Sequence, residues 1–198
     1  MNMLQYIVLL GAVANLAGGF VYIKETLRGE TKPNRVTWLM WAVAPLIATV
    51  AGLSDGVRWA VLPVFMSGFV PLLVFVVSFV NPKSYWKLEK FDYICGACSI
   101  LALVLWGITK EPLVAIFFAI ASDGFAAVPT IIKSWKHPDT ESVEAYMTGL
   151  FNALTSFFAL RTFGISELAF PIYLVLVNSS LITAVYKGQL KKVIAEYR

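Results

Sequence analysis

Residues 112–136 read PLVAIFFAIASDGFAAVPTIIKSWK. A helix needs about 20 apolar residues to cross ~30 Å of hydrocarbon, and residues 112–132 supply a run of that length, ending at Lys133 and Lys136. Within it stands a single charge, Asp123, near the middle. An ionised carboxylate at that depth costs about 2.5–3.5 kcal/mol even on the lenient insertion scale. Protonation, a cationic solute or a bound ion would each offset that cost. A hydrogen bond to a neighbouring helix, with a neutral Asp123 acting as packing glue, would do so as well. The first three readings are functional and the last structural, and the sequence leaves both kinds open.

Outward from this run, six more segments have comparable length and apolarity: 3–23, 36–53, 57–80, 91–108, 143–160 and 165–186. Turn and helix-stop chemistry such as Arg28-Gly29-Glu30, Ser54-Asp55-Gly56 and Asn81-Pro82-Lys83 separates them. Of the 198 residues, 59% are hydrophobic and 14% charged, and the mean hydropathy is +0.74. A soluble domain has about 45–50% apolar and ~25% charged residues. The composition therefore excludes a soluble enzyme, a disordered protein and a nucleic-acid binder, and predicts an all-α integral membrane protein partnered by the lipid bilayer. Cys95 and Cys98 form a lone CxxC inside an apolar run, far from the single histidine, His137, and read as small packing residues. Neither a metal nor a cofactor is expected. No Lys or Arg precedes the first run, so it reads as a mature helix and not as a signal peptide.

Basic residues orient the chain. The stretches 24–35, 83–90 and 133–136 and the C-terminal tail hold thirteen of the 16 Lys and Arg, leaving Arg58, Lys110 and Arg161. The positive-inside rule then places the N-terminus outside and the C-terminus in the cytoplasm, with the cell membrane as the expected location. Only an odd number of crossings keeps this segregation, which supports seven.

Sliding the chain by 108 residues exposes a repeat. Pro63 falls on Pro171, Trp38 on Tyr146, and Gly11, Asn15, Gly18 and Tyr22 fall on Ala119, Asp123, Ala126 and Thr130. Identities are few, and the match lies in the phase of small, polar and aromatic residues. The repeat predicts a three-helix unit at 1–82, a linker helix at 83–110, and a second three-helix unit with a short cytoplasmic tail at 111–198. One linker helix makes both triplets cross in the same direction, as two parallel three-helix bundles related by an axis along the membrane normal require.

This plan resembles the SWEET and PQ-loop superfamily. The closest local likeness is Ala127-Val128-Pro129-Thr130-Ile131-Ile132-Lys133, which is similar to a PQ-loop motif with Thr130 in the glutamine slot. In the first repeat that slot is Val21-Tyr22, with neither proline nor glutamine. The resemblance implies a transporter that alternately opens a midplane site to each side, for a small polar solute such as a sugar, an amino acid or a vitamin-like compound. It would work as a facilitator or as a carrier coupled to protons through Asp123. The resemblance also implies that Asn178 faces the solute. Its repeat mate is Val70, and Ser67, one turn away, could compensate. One branch of the superfamily serves as a sorting receptor, so a non-transporting receptor or cargo- or ligand-binding protein on the same fold is the alternative.

Helical spacing supplies the remaining candidates. Asn15 shares a face with Gly11, Gly18 and Tyr22, either as a solute-facing amide or as part of a packing seam of small residues. Thr148, Asn152, Thr155 and Ser156 share a stripe, although hydroxyls often bond only to their own helix. Trp38 and Trp41 could stack on a ring, or could anchor the helix at the membrane interface. The expected solute contacts are thus Asn15, Trp41, Ser67, Asp123, Asn152, Ser156 and Asn178. Pro63, Pro129 and Pro171 are candidate hinges, because each removes a backbone donor, and Tyr22 and Thr130 are candidate gate positions in the motif slot. No set of residues fits an enzyme. Self-association of the chain stays open.

Overall fold

The computed structural model describes residues 3–54, 61–108, 112–160 and 164–196. Among these are seven α-helices and no strand: α1 (Met3–Arg28), α2 (Arg35–Ser54), α3 (Val61–Val77), α4 (Lys90–Ile108), α5 (Pro112–Lys136), α6 (Val143–Ser156) and α7 (Ile165–Glu196). Each corresponds to one apolar run, but α1, α5 and α7 continue past it to take in the flanking basic residues. Apolarity marks where a helix can be buried, and nothing in Lys24-Glu25-Thr26-Leu27-Arg28 stops it before Gly29, whose φ of 81° ends α1. The helix α6 is shorter than expected, because from Phe157 the chain tightens into a 3₁₀ turn, Phe157–Ala159. Residues 57–60 of the third run lie outside the described residues.

Stretches of α1 (Tyr6–Arg28), α5 (Ile116–Lys136) and α7 (Leu168–Leu190) are long and apolar enough to cross a membrane. Large apolar side chains such as Leu10, Phe20, Phe117 and Leu176 stand exposed on the outer surface, where hydrocarbon suits them and water does not.

The helix α1 packs against α3 and α6, α2 against α3 and α5, and α7 against α5 and α6, while α4 lies on α5 and α2. Replacing α1 by α5, α2 by α6 and α3 by α7 maps these main contacts onto one another, with α4 left over. Boundaries follow the same offset. The helices α1 and α5 end at Arg28 and Lys136, and α2 and α6 begin at Arg35 and Val143, each pair 108 residues apart.

Side chains pin the loops that join these helices. Asn34 Oδ1 accepts from the backbone N–H of Val36 (3.1 Å) and Thr37 (3.3 Å), capping α2. Its Nδ2 donates to Asp92 Oδ1 at 2.7 Å, tying the start of α2 to the start of α4. Arg35 reaches the other way, donating from Nη2 to Ser78 O at 2.7 Å and lying over the Phe79 ring. Further along α4, Ser99 and Ser122 exchange hydroxyl-to-carbonyl bonds of 2.7 and 3.0 Å with α5.

Candidate functional site

A cavity of about 90 Å³ lies inside the bundle, lined from α1, α2, α3, α5, α6 and α7. The α1 face read from the sequence points at α6. A Cβ on Gly11 would collide with Thr155 and one on Gly18 with Thr148, so small residues let the two backbones close on each other. Asn15, midway between them, lines the cavity. The seam and the polar site are therefore two parts of one face.

Asp123, on α5, is 6% exposed and also lines the cavity. Tyr173 on α7 donates to its Oδ2 at 2.6 Å, and Trp41 Nε1 on α2 donates to its backbone oxygen at 3.3 Å. Asp123 thus bonds across a helix interface and faces the cavity at once, so the structural and functional readings do not exclude each other. Asn152 is 4% exposed, and its Oδ1 has no hydrogen-bond partner among the described residues. Asn178 Nδ2 donates to Leu174 O at 2.8 Å, and its Oδ1 lies over Gly149, where an added Cβ would come within 2.6 Å.

Of the seven expected solute contacts, Asn15, Trp41, Ser67, Asp123, Asn152 and Asn178 come together around this cavity. Ser156 does not line it, and its hydroxyl donates to Ala153 O at 2.6 Å. Ser67 Oγ donates to Val64 O at 2.7 Å, so its hydrogen is taken by its own helix although the residue lines the wall. Several lining residues pair at the 108-residue offset: Asn15 with Asp123, Trp38 with Tyr146, Trp41 with Gly149, and Val70 with Asn178.

Toward the 29–34 and 137–142 loops a polar cluster joins α1, α5 and α6, and a separate cavity of about 190 Å³, lined by Trp86, Asp92, Lys133, Lys136 and His137, lies beside Lys133. Glu141 Oε2 accepts from Tyr22 (2.9 Å) and Tyr146 (2.6 Å), while Oε1 pairs with Lys133 Nζ. Lys133, 2% exposed, also donates to the backbone oxygens of Lys32 and Thr140, binding both loops to α5. Trp38 lies between this cluster and the cavity, 4.7 Å from the Tyr22 ring and 5.5 Å from Trp41. Its Nε1 has no partner among the described residues. It is a buried wall residue and not an interfacial anchor.

The expected gate positions fall in or beside this cluster. Tyr22 belongs to it, and Thr130 donates to Thr37 Oγ1 at 2.9 Å while Thr37 donates to Ala126 O at 2.7 Å. Pro129 is buried within α5, between Asp123 and Lys133. Pro171 lies within α7, beside cavity-lining Phe170. Pro63 falls in the first turn of α3, but its side chain lies outside the described residues. Tyr173 and the Lys133–Glu141 pair are the residues that the sequence reading missed. Lys133 counts as a loop cation there and Glu141 as loop polarity, and eight residues around a turn hide their meeting. Among the described residues no group of His, Cys, Asp and Glu could hold a metal ion.

No protein-family profile, curated protein or solved structure matches the chain.

Proposed function

We propose that the chain is a membrane carrier, a facilitator or a proton-coupled secondary carrier, that moves a small polar solute such as a sugar, an amino acid or a vitamin-like compound by alternating access. On this reading it is built on the SWEET and PQ-loop plan. All seven helices cross the cell membrane, residues 1–82 and 111–198 form two parallel bundles joined by the helix at 83–110, and the N-terminus is outside.

One observation supports this most: residues 108 apart on corresponding helices line a single cavity between the two triplets. A site built from both halves changes shape when one half rocks against the other, which couples binding to opening. The Glu141 cluster would serve as the closed gate on the cytoplasmic side. Opening there requires Tyr22 and Tyr146, on helices from different triplets, to part from one carboxylate. Pro129 lies between site and gate on α5, where a missing backbone donor makes bending cheaper.

The test is uptake into proteoliposomes of labelled sugars, amino acids and vitamins, with and without an imposed pH gradient. Saturable uptake of any of them is expected. Saturable binding with no uptake of the bound solute would sink the carrier and leave a receptor on the same fold.

A further inference from the structure

We propose that the cavity selects a small organic ammonium ion over neutral polyols and over anions. This names the substrate class for the carrier proposed above and rests on that reading for the cavity's role, although binding can be measured without it.

A buried carboxylate with no facing cation and a buried amide oxygen without a partner carry the inference, against a single buried unpaired donor among the described residues, Trp38 Nε1. Asp123 is almost fully buried, yet among the described residues its carboxylate accepts at hydrogen-bond distance from Tyr173, with the Trp41 indole N–H, which bonds the Asp123 backbone oxygen, as the other donor beside it. An ionised carboxylate has about four acceptor positions, and buried charges are ordinarily paired. Among the described residues no Lys, Arg or His lines the cavity. Asn152 Oδ1 is a buried acceptor without a partner among the described residues. Asn178 adds a half-buried amide to the wall, with Nδ2 donating to Leu174 O and Oδ1 lying against Gly149. Gly149 gives that oxygen its room, since any side chain there would strike it.

An ammonium group brings three donors, a positive charge and no acceptor, which complements such a set. Rings complete the wall: Trp38 and Trp41 meet edge to face at 78°, and Tyr146 and Phe170 line the same space. Aromatic faces attract cations. A sugar brings no positive charge to set against the buried Asp123 carboxylate. An anion would meet Asp123. The volume of about 90 Å³, against roughly 10–15 Å³ for one water, suits a body of a few non-hydrogen atoms.

The experiment uses the purified full chain and follows tryptophan fluorescence, because Trp38 and Trp41 line the cavity. Ethanolammonium, ethylene glycol and glycolate are titrated as a size-matched set, with glucose as a larger polyol. The expected result is saturable binding of ethanolammonium, at least ten-fold weaker binding of ethylene glycol and glucose, and none of glycolate. Asp123→Asn should weaken ethanolammonium at least ten-fold, and Asn152→Leu several-fold. Glycol or glucose binding as tightly as ethanolammonium would overturn the proposal, as would unchanged ethanolammonium affinity in Asp123→Asn. If that variant does not fold, unchanged affinity in Asn152→Leu overturns it equally. Ethanolammonium binding without proteoliposome uptake would leave this assignment standing and sink the carrier. Glucose uptake with no ethanolammonium binding would do the reverse.

Discussion

Glu141 accepts from two tyrosine hydroxyls and pairs with a lysine, so both of its oxygens are engaged. On the cavity wall, Asn152 Oδ1 has no partner among the described residues, and Asp123 has Tyr173 on its carboxylate and Trp41 on its backbone oxygen but no cation. Both regions are buried and polar, and both draw side chains from α1, α5 and α6, with Glu141 itself in the loop before α6 and the cavity wall completed by α2, α3 and α7. One spends its polar groups on the protein, and the other holds them in reserve. Paired buried groups hold a conformation together, whereas unpaired ones cost stability and persist where something else must bind. On the proposed reading, the first region is a latch and the second a binding site.

The largest effect should come from the latch. Glu141→Ala strands the buried Lys133 charge and leaves the Tyr22 and Tyr146 hydroxyls without their acceptor. Removing one partner of a buried ion pair costs about 3–5 kcal/mol, so the thermal midpoint in detergent should fall by several degrees. Asn152→Ala removes no hydrogen bond of Oδ1 and should cost far less. Equal losses from the two variants would erase the distinction between the regions.

Asp123→Asn comes next and should move function more than stability. Asparagine keeps the size of the acid and can still accept from Tyr173, so the midpoint should change by less than about 1 kcal/mol of stability. Uptake should drop more than ten-fold, because a charge-assisted hydrogen bond to the solute is lost. If instead exchange persists and only the response to a pH gradient disappears, Asp123 carries a proton and not the solute's charge. A large stability loss with normal uptake would move Asp123 into the same class as Glu141.

Pro129 lies between the two regions, and Pro129→Ala should sharpen the contrast by changing rate alone. Restoring a backbone donor stiffens α5, so transport should slow several-fold while fluorescence titration returns the same affinity. Equal changes in both, or in neither, would make Pro129 a static kink.

How much of this was legible in the sequence depends on whether a signal is contained in one helix. The face Gly11, Asn15, Gly18, Tyr22 was readable because its spacing lies within α1, and Asp123 stood out because a mid-helix acid is costly wherever the helix packs. The 108-residue offset was visible as phase and returns in the helix boundaries at Arg28 and Lys136 and at Arg35 and Val143. The latch was not legible. Lys133 next to Lys136 looks like any basic end of a crossing, and Glu141 lies in a polar loop; their burial arises only when the 29–34 and 137–142 loops meet. Tyr173 escaped for a related reason, since at the 108-residue offset it matches Phe65 as an aromatic position only, and its bond to Asp123 crosses fifty residues.

The smallest effect tests the edge of the site. Ser67 and Ser156 were both expected to touch the solute, and both now donate to carbonyls three residues back, Val64 and Ala153. Their hydroxyl hydrogens are therefore equally occupied, and they differ only in place: Ser67 lines the cavity and Ser156 does not. Ser156→Ala should leave affinity, uptake rate and thermal midpoint unchanged within error. Ser67→Ala should leave the midpoint similar, because the lost bond is local to the helix, but should weaken binding about two-fold, since the Ser67 oxygen can still accept from a solute donor. A silent Ser67→Ala would confine recognition to Asp123 and the amides, drawing the site's boundary at the carboxylate side of the wall. A loss of affinity in Ser156→Ala would mean that the cavity extends along α6 beyond Asn152 when the solute is bound, and fluorescence titration of the two variants side by side decides between these outcomes.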